Sequence, residues 1–441
     1  MENNVFSERG SQAASIVGLA NFILDECSAM ERACEEDGTP QPSMLAGTST
    51  AFWSADAPKL TSSRSKALGL LEKLATLLQG PHEFLHEFVA PNWDHGALYA
   101  FLQSSALEYM ASSDSPVSLS SLSHTTDIPE DKLKRILALL RCKNIVDERE
   151  EDMFTLTAVS EELIRDQDFR AWVEFQLFET RVASAHLAQA LAKKPNDYEN
   201  GSSGFAEAWG SEMYDWHSKH PDKGDRFRQA MRGVSKSLDP ADSLLRKHIP
   251  SGGISSGRIK IVEIGGRYGF ASIALVEERP ELSFEVRCDS QDFIRRGAAL
   301  VTASSKERIT FTDVDSLTDS LSKGDSTSVF AYVIRNVFWN WTDHEAIKLL
   351  QALLPTLRAA PSTRILVTDG VSPVSKQFLQ HIEIAYRRRD ITTMVMHNVK
   401  QRTQAEWLKL FSQVHPSLKI TTDFETSTHV CKALWNLSLE S

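Results

Sequence analysis

The stretch that decides the fold is Ile259-Lys-Ile-Val-Glu-Ile-Gly-Gly-Arg-Tyr-Gly269. Ile259, Ile261, Val262 and Ile264 form a short, nearly continuous apolar run, which predicts a strand buried on both faces. Gly265, Gly266 and Gly269 then make a tight turn. Phe270 to Arg279 reads as a helix, and Pro280 stops it. Leu282 to Cys288 reads as a second strand with Asp289 at its carboxyl end. A βαβ unit with a glycine turn after its first strand and an acid about twenty residues on has the layout of a nucleoside-binding fold. Taken alone, the stretch supports either a ligand site or a plain structural corner.

The same rhythm continues downstream. Arg308 to Thr312 is a predicted strand ending near Asp313 and Asp315. Val329 to Ile334 is another, ending at Arg335-Asn336. Thr342 to Leu354 reads as a helix that Pro355 closes, with Thr342 and Glu345 forming a capping box. Arg364 to Thr368 is a strand ending at Asp369, Thr403 to Phe411 a helix, and Leu418 to Thr422 and Val430 to Leu437 the last strands. Strand ends at Gly265, Asp289, Asp315, Arg335 and Asp369 then converge on one crevice, where open α/β sheets hold ligands.

Upstream the chain reads as helical. Ile16, Leu19, Ala20, Ile23 and Leu24 recur at helical spacing within 11–36, and a Gly/Pro/Ser/Thr-rich loop follows over 37–50. Ser62 to Leu78 is a second amphipathic helix. Ala97 to Tyr109, Leu119 to Ser123 and Pro129 to Leu140 are three more, followed by two short strands, Asn144 to Glu150 and Asp152 to Leu156. Three helices and a small wing describe a winged-helix module. Its second long helix, Pro-Glu-Asp-Lys-Leu-Lys-Arg-Ile, has mixed charge, which favours dimerisation over DNA binding. Phe169 to Ala192 reads as one long helix. Phe205, Trp209, Tyr214, Trp216 and Phe227 either line a pocket or pack a core. The boundary between the two halves falls in Asp239 to Gly257.

The 441 residues carry a net charge of −11, which argues against a nucleic-acid surface and against an anionic membrane. The five cysteines are scattered and odd in number, so free thiols in a reducing compartment are expected. No apolar run reaches membrane-spanning length. The expectation is a cytoplasmic, soluble protein.

Laid out this way, the chain resembles the two-domain, S-adenosylmethionine-dependent O-methyltransferases of plant and fungal secondary metabolism, from about residue 60 to the end. Val262 to Gly269 looks like their cofactor loop, usually Val-Asp-Val-Gly-Gly-Gly-x-Gly. Asp289 sits where their ribose-binding acid sits, and Asp315 where a residue beside the adenine sits. Ile334-Arg-Asn-Val-Phe-Trp-Asn-Trp341 matches Leu-Arg-x-Val-Leu-His-Asp-Trp. Met394-Val-Met-His-Asn398 with Lys400-Gln-Arg-Thr403 matches the segment ending Gly-Lys-Glu-Arg-Thr. The resemblance implies a Rossmann-like methyltransferase domain at 251–441, a mostly α-helical, winged-helix-like dimerisation domain at 51–250 and an N-terminal helix and linker at 1–50. It also implies a homodimer and S-adenosylmethionine held by Gly265, Gly266, Arg267, Asp289, Asp315 and Arg335.

The departures carry the functional expectation. The family's general base is the His of His-Asp-Trp; Trp339 stands there, and an indole has an N–H donor and no acceptor lone pair. The acid that orients the base is Gln401; its other partner position is Asp369. The third glycine of the loop is Arg267, which either crowds the cofactor or grips its carboxylate. In particular the chain resembles the fungal O-methyltransferase-like pericyclases, which dehydrate an alcohol to a quinone methide and steer an Alder-ene or hetero-Diels–Alder closure of pyridone or polyketide intermediates. On that reading Arg335 and Asn336 address a substrate carbonyl, Trp339 walls the pocket, and His397, Asn398 and Lys400 sit at its mouth, with Met394 and Met396 as apolar lining. S-adenosylmethionine is then consumed, bound without being consumed, or absent. His124 is expected at the surface of the dimerisation domain. The alternatives are a genuine O-methyltransferase, a methyltransferase-like hydroxylase or decarboxylase, and a catalytically inactive dimerisation partner.

Overall fold

A computed structural model describes residues 15–54, 57–193, 202–238, 243–250, 258–314, 317, 329–374, 380–426 and 431–439. Two compact units are present. The first takes in the described residues of Met1–Arg181, His220–Gly233 and Phe378–Ile384. The second takes in those of Val182–Lys219, Val234–Gln377 and Ala385–Ser441.

In the first unit the helix Ile16–Asp37 starts at Ser15, whose hydroxyl accepts the Gly18 N–H, and stops at Gly38, which takes a left-handed φ of 64°. The helix Pro58–Val89 is broken at Gly80, where φ is 65° and ψ 178°, just before Pro81. Periodicity ends the helix at Leu78 for this reason, and a second helical stretch follows the break. Three short strands, β1 (Val117–Ser118), β2 (Val146–Glu150) and β3 (Met153–Leu156), form an antiparallel sheet in the order β1-β3-β2. The helix Glu130–Cys142 buries Leu133, Leu137 and Leu140 against Phe101, Leu122 and Phe154.

The long helix expected over 169–192 is not continuous. Gln167–Phe175 leads into a π-helical turn, Gln176–Thr180, and two short helices, Arg181–Ala185 and Leu187–Lys193, follow. The π turn carries Glu179, which is fully buried and lies 2.7 Å from Arg226 Nη2. Apolar spacing does not encode such a buried pair, because its partner comes from a distant helix, Pro221–Leu238.

The second unit is built on a seven-stranded sheet: β4 (Ile259–Ile264), β5 (Leu282–Cys288), β6 (Ile309–Asp313), β7 (Val329–Arg335), β8 (Arg364–Gly370), β9 (Leu418–Thr426) and β10 (Cys431–Leu439). The order is β6-β5-β4-β7-β8-β10-β9. The pairs β4/β5, β4/β7, β5/β6 and β7/β8 are parallel; β10 runs antiparallel to β8 and β9. Parallel strands covered on both faces need mostly apolar residues, which is why β4, β7 and β8 read as nearly continuous apolar runs. The order reverses between β4 and β7, so the loops after these two strands leave in opposite directions and open a crevice at their carboxyl ends.

The helix after β7 starts as expected. Thr342 accepts the Glu345 N–H and Glu345 bonds back to Thr342. It does not stop at Pro355 but runs to Ala359. Leu353, Leu354 and Leu357 are buried on either side of the proline, and this packing carries the helix past the missing N–H. No helix among the described residues is long and apolar enough to cross a membrane.

Candidate active site

The glycine turn after β4 is held from below. Gly265 and Gly269 take positive φ values of 71° and 66°. A Cβ on Gly266 would lie 2.5 Å from the Glu263 carboxyl carbon, and Glu263 accepts a hydrogen bond from Ser272. The buried Cys288 thiol donates to the Arg267 carbonyl at 3.0 Å, and burial pushes that thiol up to about 12, so it braces the loop as a neutral donor. Asp289 follows β5 with its side chain exposed. A turn of glycine backbone beside a solvent-facing carboxylate suits a nucleoside: backbone N–H groups meet the ligand and the acid accepts from ribose hydroxyls.

Arg267 also takes left-handed backbone, at a φ of 49°. For a residue with a Cβ this costs about 1–2 kcal/mol. Its Nη2 donates to the Tyr214 hydroxyl at 2.7 Å, and its guanidinium carbon lies 4.4 Å from the Tyr214 ring centroid and 5.7 Å from that of Phe293. Asn340 Nδ2 donates to the same Tyr214 oxygen at 2.7 Å. Burial works against the charge of Arg267, but Tyr214 and Asp289 outweigh it and keep the guanidinium protonated.

The cluster continues beyond Tyr214. His397 stacks on Tyr214 with centroids 5.4 Å apart, and Trp339 meets His397 edge-on at 5.8 Å and 89°. Burial, then the charge of Arg267, then His217, pushes His397 down to about 3. It is neutral at physiological pH and too weakly basic to take a hydroxyl proton efficiently.

Trp339 sits on a short 3₁₀ turn, Phe338–Asn340, after β7. Arg402 pins that turn. Its Nη1 donates to the Phe338 carbonyl and its Nη2 to the Trp341 carbonyl, both at 2.7 Å, and its Nε to Asp343 at 2.6 Å. Gln401 Nε2 reaches the Trp339 carbonyl at 3.4 Å. Asp369 is 2% exposed; burial pushes its carboxyl up to about 6 against the pull of the Gly370 N–H, Arg402 and Lys432.

The remaining expected residues are spread around this cluster. Arg335 ends β7. Asn336 follows at a φ of 51°, with its N–H bonded to the Thr368 carbonyl at 2.9 Å. Asn398 is buried at a φ of 54°. Lys400 is paired with Glu406 at 2.7 Å, and Met396 is buried. His124 is exposed. Asp315 lies outside the described residues. Asn340 was not singled out for a site by the sequence; Tyr214 is one of the five aromatics of 205–231 read there as pocket lining or core, and of the others Phe205, Trp216 and Phe227 are core.

Residues 185–414 match the family described as the O-methyltransferase domain. The chain is 39% identical over 415 residues to the O-methyltransferase phnC of Penicillium herquei, covering 92% of this chain and 96% of that protein. The chain belongs to the O-methyltransferase family. Among solved structures, this O-methyltransferase-family chain is similar to a LepI complex with SAM, at a TM-score of 0.72 and 17% identity over 96% of this chain and all of that one. It is also similar to a structure titled "A Pericyclic Reaction enzyme", at a TM-score of 0.70 and 18% identity over 95% of this chain and 100% of that one. The fold is thus the two-domain, S-adenosylmethionine-dependent O-methyltransferase fold, and the cofactor of the family is S-adenosylmethionine.

Proposed function

We propose that the chain is a methyltransferase-fold pericyclase of secondary metabolism. It dehydrates an alcohol of a pyridone- or polyketide-type intermediate to a quinone methide and directs the Alder-ene or hetero-Diels–Alder closure that follows. The observation that carries this reading is the proton-transfer position: Trp339 offers no acceptor, Gln401 is a neutral amide engaged with the Trp339 carbonyl, and the adjacent His397 is held neutral and weakly basic. Methyl transfer to an un-ionised hydroxyl needs a base; a pericyclic closure needs none.

Closure needs the flexible substrate folded into its reactive conformer, and fixing that conformer lowers the barrier by several kcal/mol. The indole of Trp339 supplies a flat wall. Arg335 and Asn336, at the end of β7, donate to a carbonyl that grows electron-rich as the ring forms. In the dehydration the carbinol C–O bond breaks and the substrate's own acidic ring hydroxyl gives up the proton with which the departing hydroxide forms water, so alcohol goes to quinone methide plus water; the closure gains and loses no atoms. Lys400, paired with Glu406, serves as a polar group at the pocket mouth, and Asn398, which is buried, as a polar group of the pocket itself. Gly265, Gly266 and Asp289, with Asp315 and Arg335, hold S-adenosylmethionine, which when bound contributes a sulfonium charge and, on this reading, no methyl group.

The active form is proposed to be a cytoplasmic homodimer joined through the N-terminal, winged-helix-like region. Leu71 and Leu78, before the break at Gly80, and Leu85 and Phe88, after it, are exposed on Pro58–Val89, apolar surface of the kind that a second copy covers. Methyl transfer is the second reading, favoured by the relative named as an O-methyltransferase. Mass spectrometry of the product with purified protein and a pathway alcohol separates the readings. Loss of water or unchanged mass with altered stereochemistry supports cyclisation, and gain of a methyl group supports transfer. No turnover of any intermediate supports an inactive partner.

A further inference from the structure

We infer that Arg267 is the recognition residue for the carboxylate of the S-adenosylmethionine methionine portion. The inference rests on the reading that this cofactor stays bound while the substrate cyclises. Arg267 replaces the glycine that the family's loop usually has, in a backbone conformation that glycine adopts without strain. Its guanidinium has five N–H donors. Its bond to the Tyr214 hydroxyl and its stacking on the Tyr214 and Phe293 rings are all with neutral groups, and no carboxylate pairs with it among the described residues. Asp289 acts on it only at longer range and faces solvent, free to meet ribose hydroxyls. His397, stacked on Tyr214, is neutral. The loop therefore carries a partly desolvated cation that Tyr214 and Asp289 keep charged, with no carboxylate in ion-pair contact among the described residues. S-adenosylmethionine has one anionic group, its amino-acid carboxylate, and a guanidinium donates two parallel hydrogen bonds to such a group.

Calorimetric titration of the full-length protein tests this with three ligands: S-adenosylmethionine, S-adenosylhomocysteine and decarboxylated S-adenosylmethionine. The wild type is expected to prefer the two carboxylate-bearing ligands. Arg267→Gln is expected to weaken both by about tenfold to a hundredfold and to leave decarboxylated S-adenosylmethionine unchanged. Arg267→Lys is expected to restore part of the preference. The wild-type comparison across ligands needs no variant, so a poorly folded Arg267→Gln protein still leaves a decisive result. The inference is overturned if the wild type binds S-adenosylmethionine no better than its decarboxylated form, if Arg267→Gln binds it as tightly or more tightly, or if all three ligands weaken alike. Each of these outcomes leaves the product-mass assay standing, and a methylated product would in turn leave the calorimetry standing.

Discussion

Arg402→Met removes the anchor of the turn that carries Trp339, and its cost can be worked out bond by bond. The side chain is 2% exposed and makes three bonds of 2.6–2.7 Å. The pair with Asp343 counts little, because the Asp343 side chain is 50% exposed; such pairs contribute about 0–1 kcal/mol. The bonds to the Phe338 and Trp341 carbonyls come from a charged donor and are worth about 1.5–3 kcal/mol each. Roughly half of that sum is offset, since a buried guanidinium no longer has to be desolvated and methionine keeps the apolar contact with Trp407. The expected net loss is about 3 kcal/mol. For a unit of this size that lowers the melting temperature by about 6–12 °C, read by scanning calorimetry at neutral pH. Arg402→Lys should fall between, because one ammonium cannot serve two carbonyls in the same fork. A shift below about 2 °C for Arg402→Met would refute the claim that this residue fixes the turn.

Three further outcomes follow. Burial pushes the Asp369 carboxyl from the usual aspartate value of 3.8 up to about 6 in the folded state, so its contribution favours folding below about pH 4 and is lost as pH rises through 6. Asp369→Asn should therefore raise stability at pH 7.5 by about 3 kcal/mol and flatten the pH dependence between 4 and 7; an unchanged slope would contradict the burial argument. Leu78→Glu combined with Phe88→Glu should give monomers in light scattering, whereas an unchanged mass would remove the helix Pro58–Val89 from the interface. Trp339→His with Gln401→Glu should raise methyl transfer about a hundred- to ten-thousandfold, and no gain would mean that the missing base is not what blocks transfer.

The sheet was legible because its parallel strands are apolar on both faces: Ile259–Ile264, Val329–Arg335 and Arg364–Gly370 announce themselves without any partner. Thr342 and Glu345 gave the helix start for an equally local reason. Thr403 and Glu406 form a second capping box with the same spacing, an equally local signal. Pro355 misled, because a strong local stop signal was overridden by tertiary packing of the leucines around it. The π turn at Gln176–Thr180 carries Glu179, whose partner Arg226 lies on a distant helix, and no local pattern reports a partner so distant. The site divides the same way. Trp339, Gln401 and Arg267 stood out as departures from a motif, while Tyr214 and Asn340, which join Arg267 to the Trp339 turn, are brought there only by the fold.

The central claim is that this scaffold shapes its substrate without alkylating it. A single-turnover reaction with S-adenosylmethionine and a pathway alcohol, followed for both small-molecule products, tests it most directly. The account predicts a cyclised product that has lost water and gained no carbon, with S-adenosylmethionine recovered intact. Stoichiometric S-adenosylhomocysteine alongside a methylated product would contradict it.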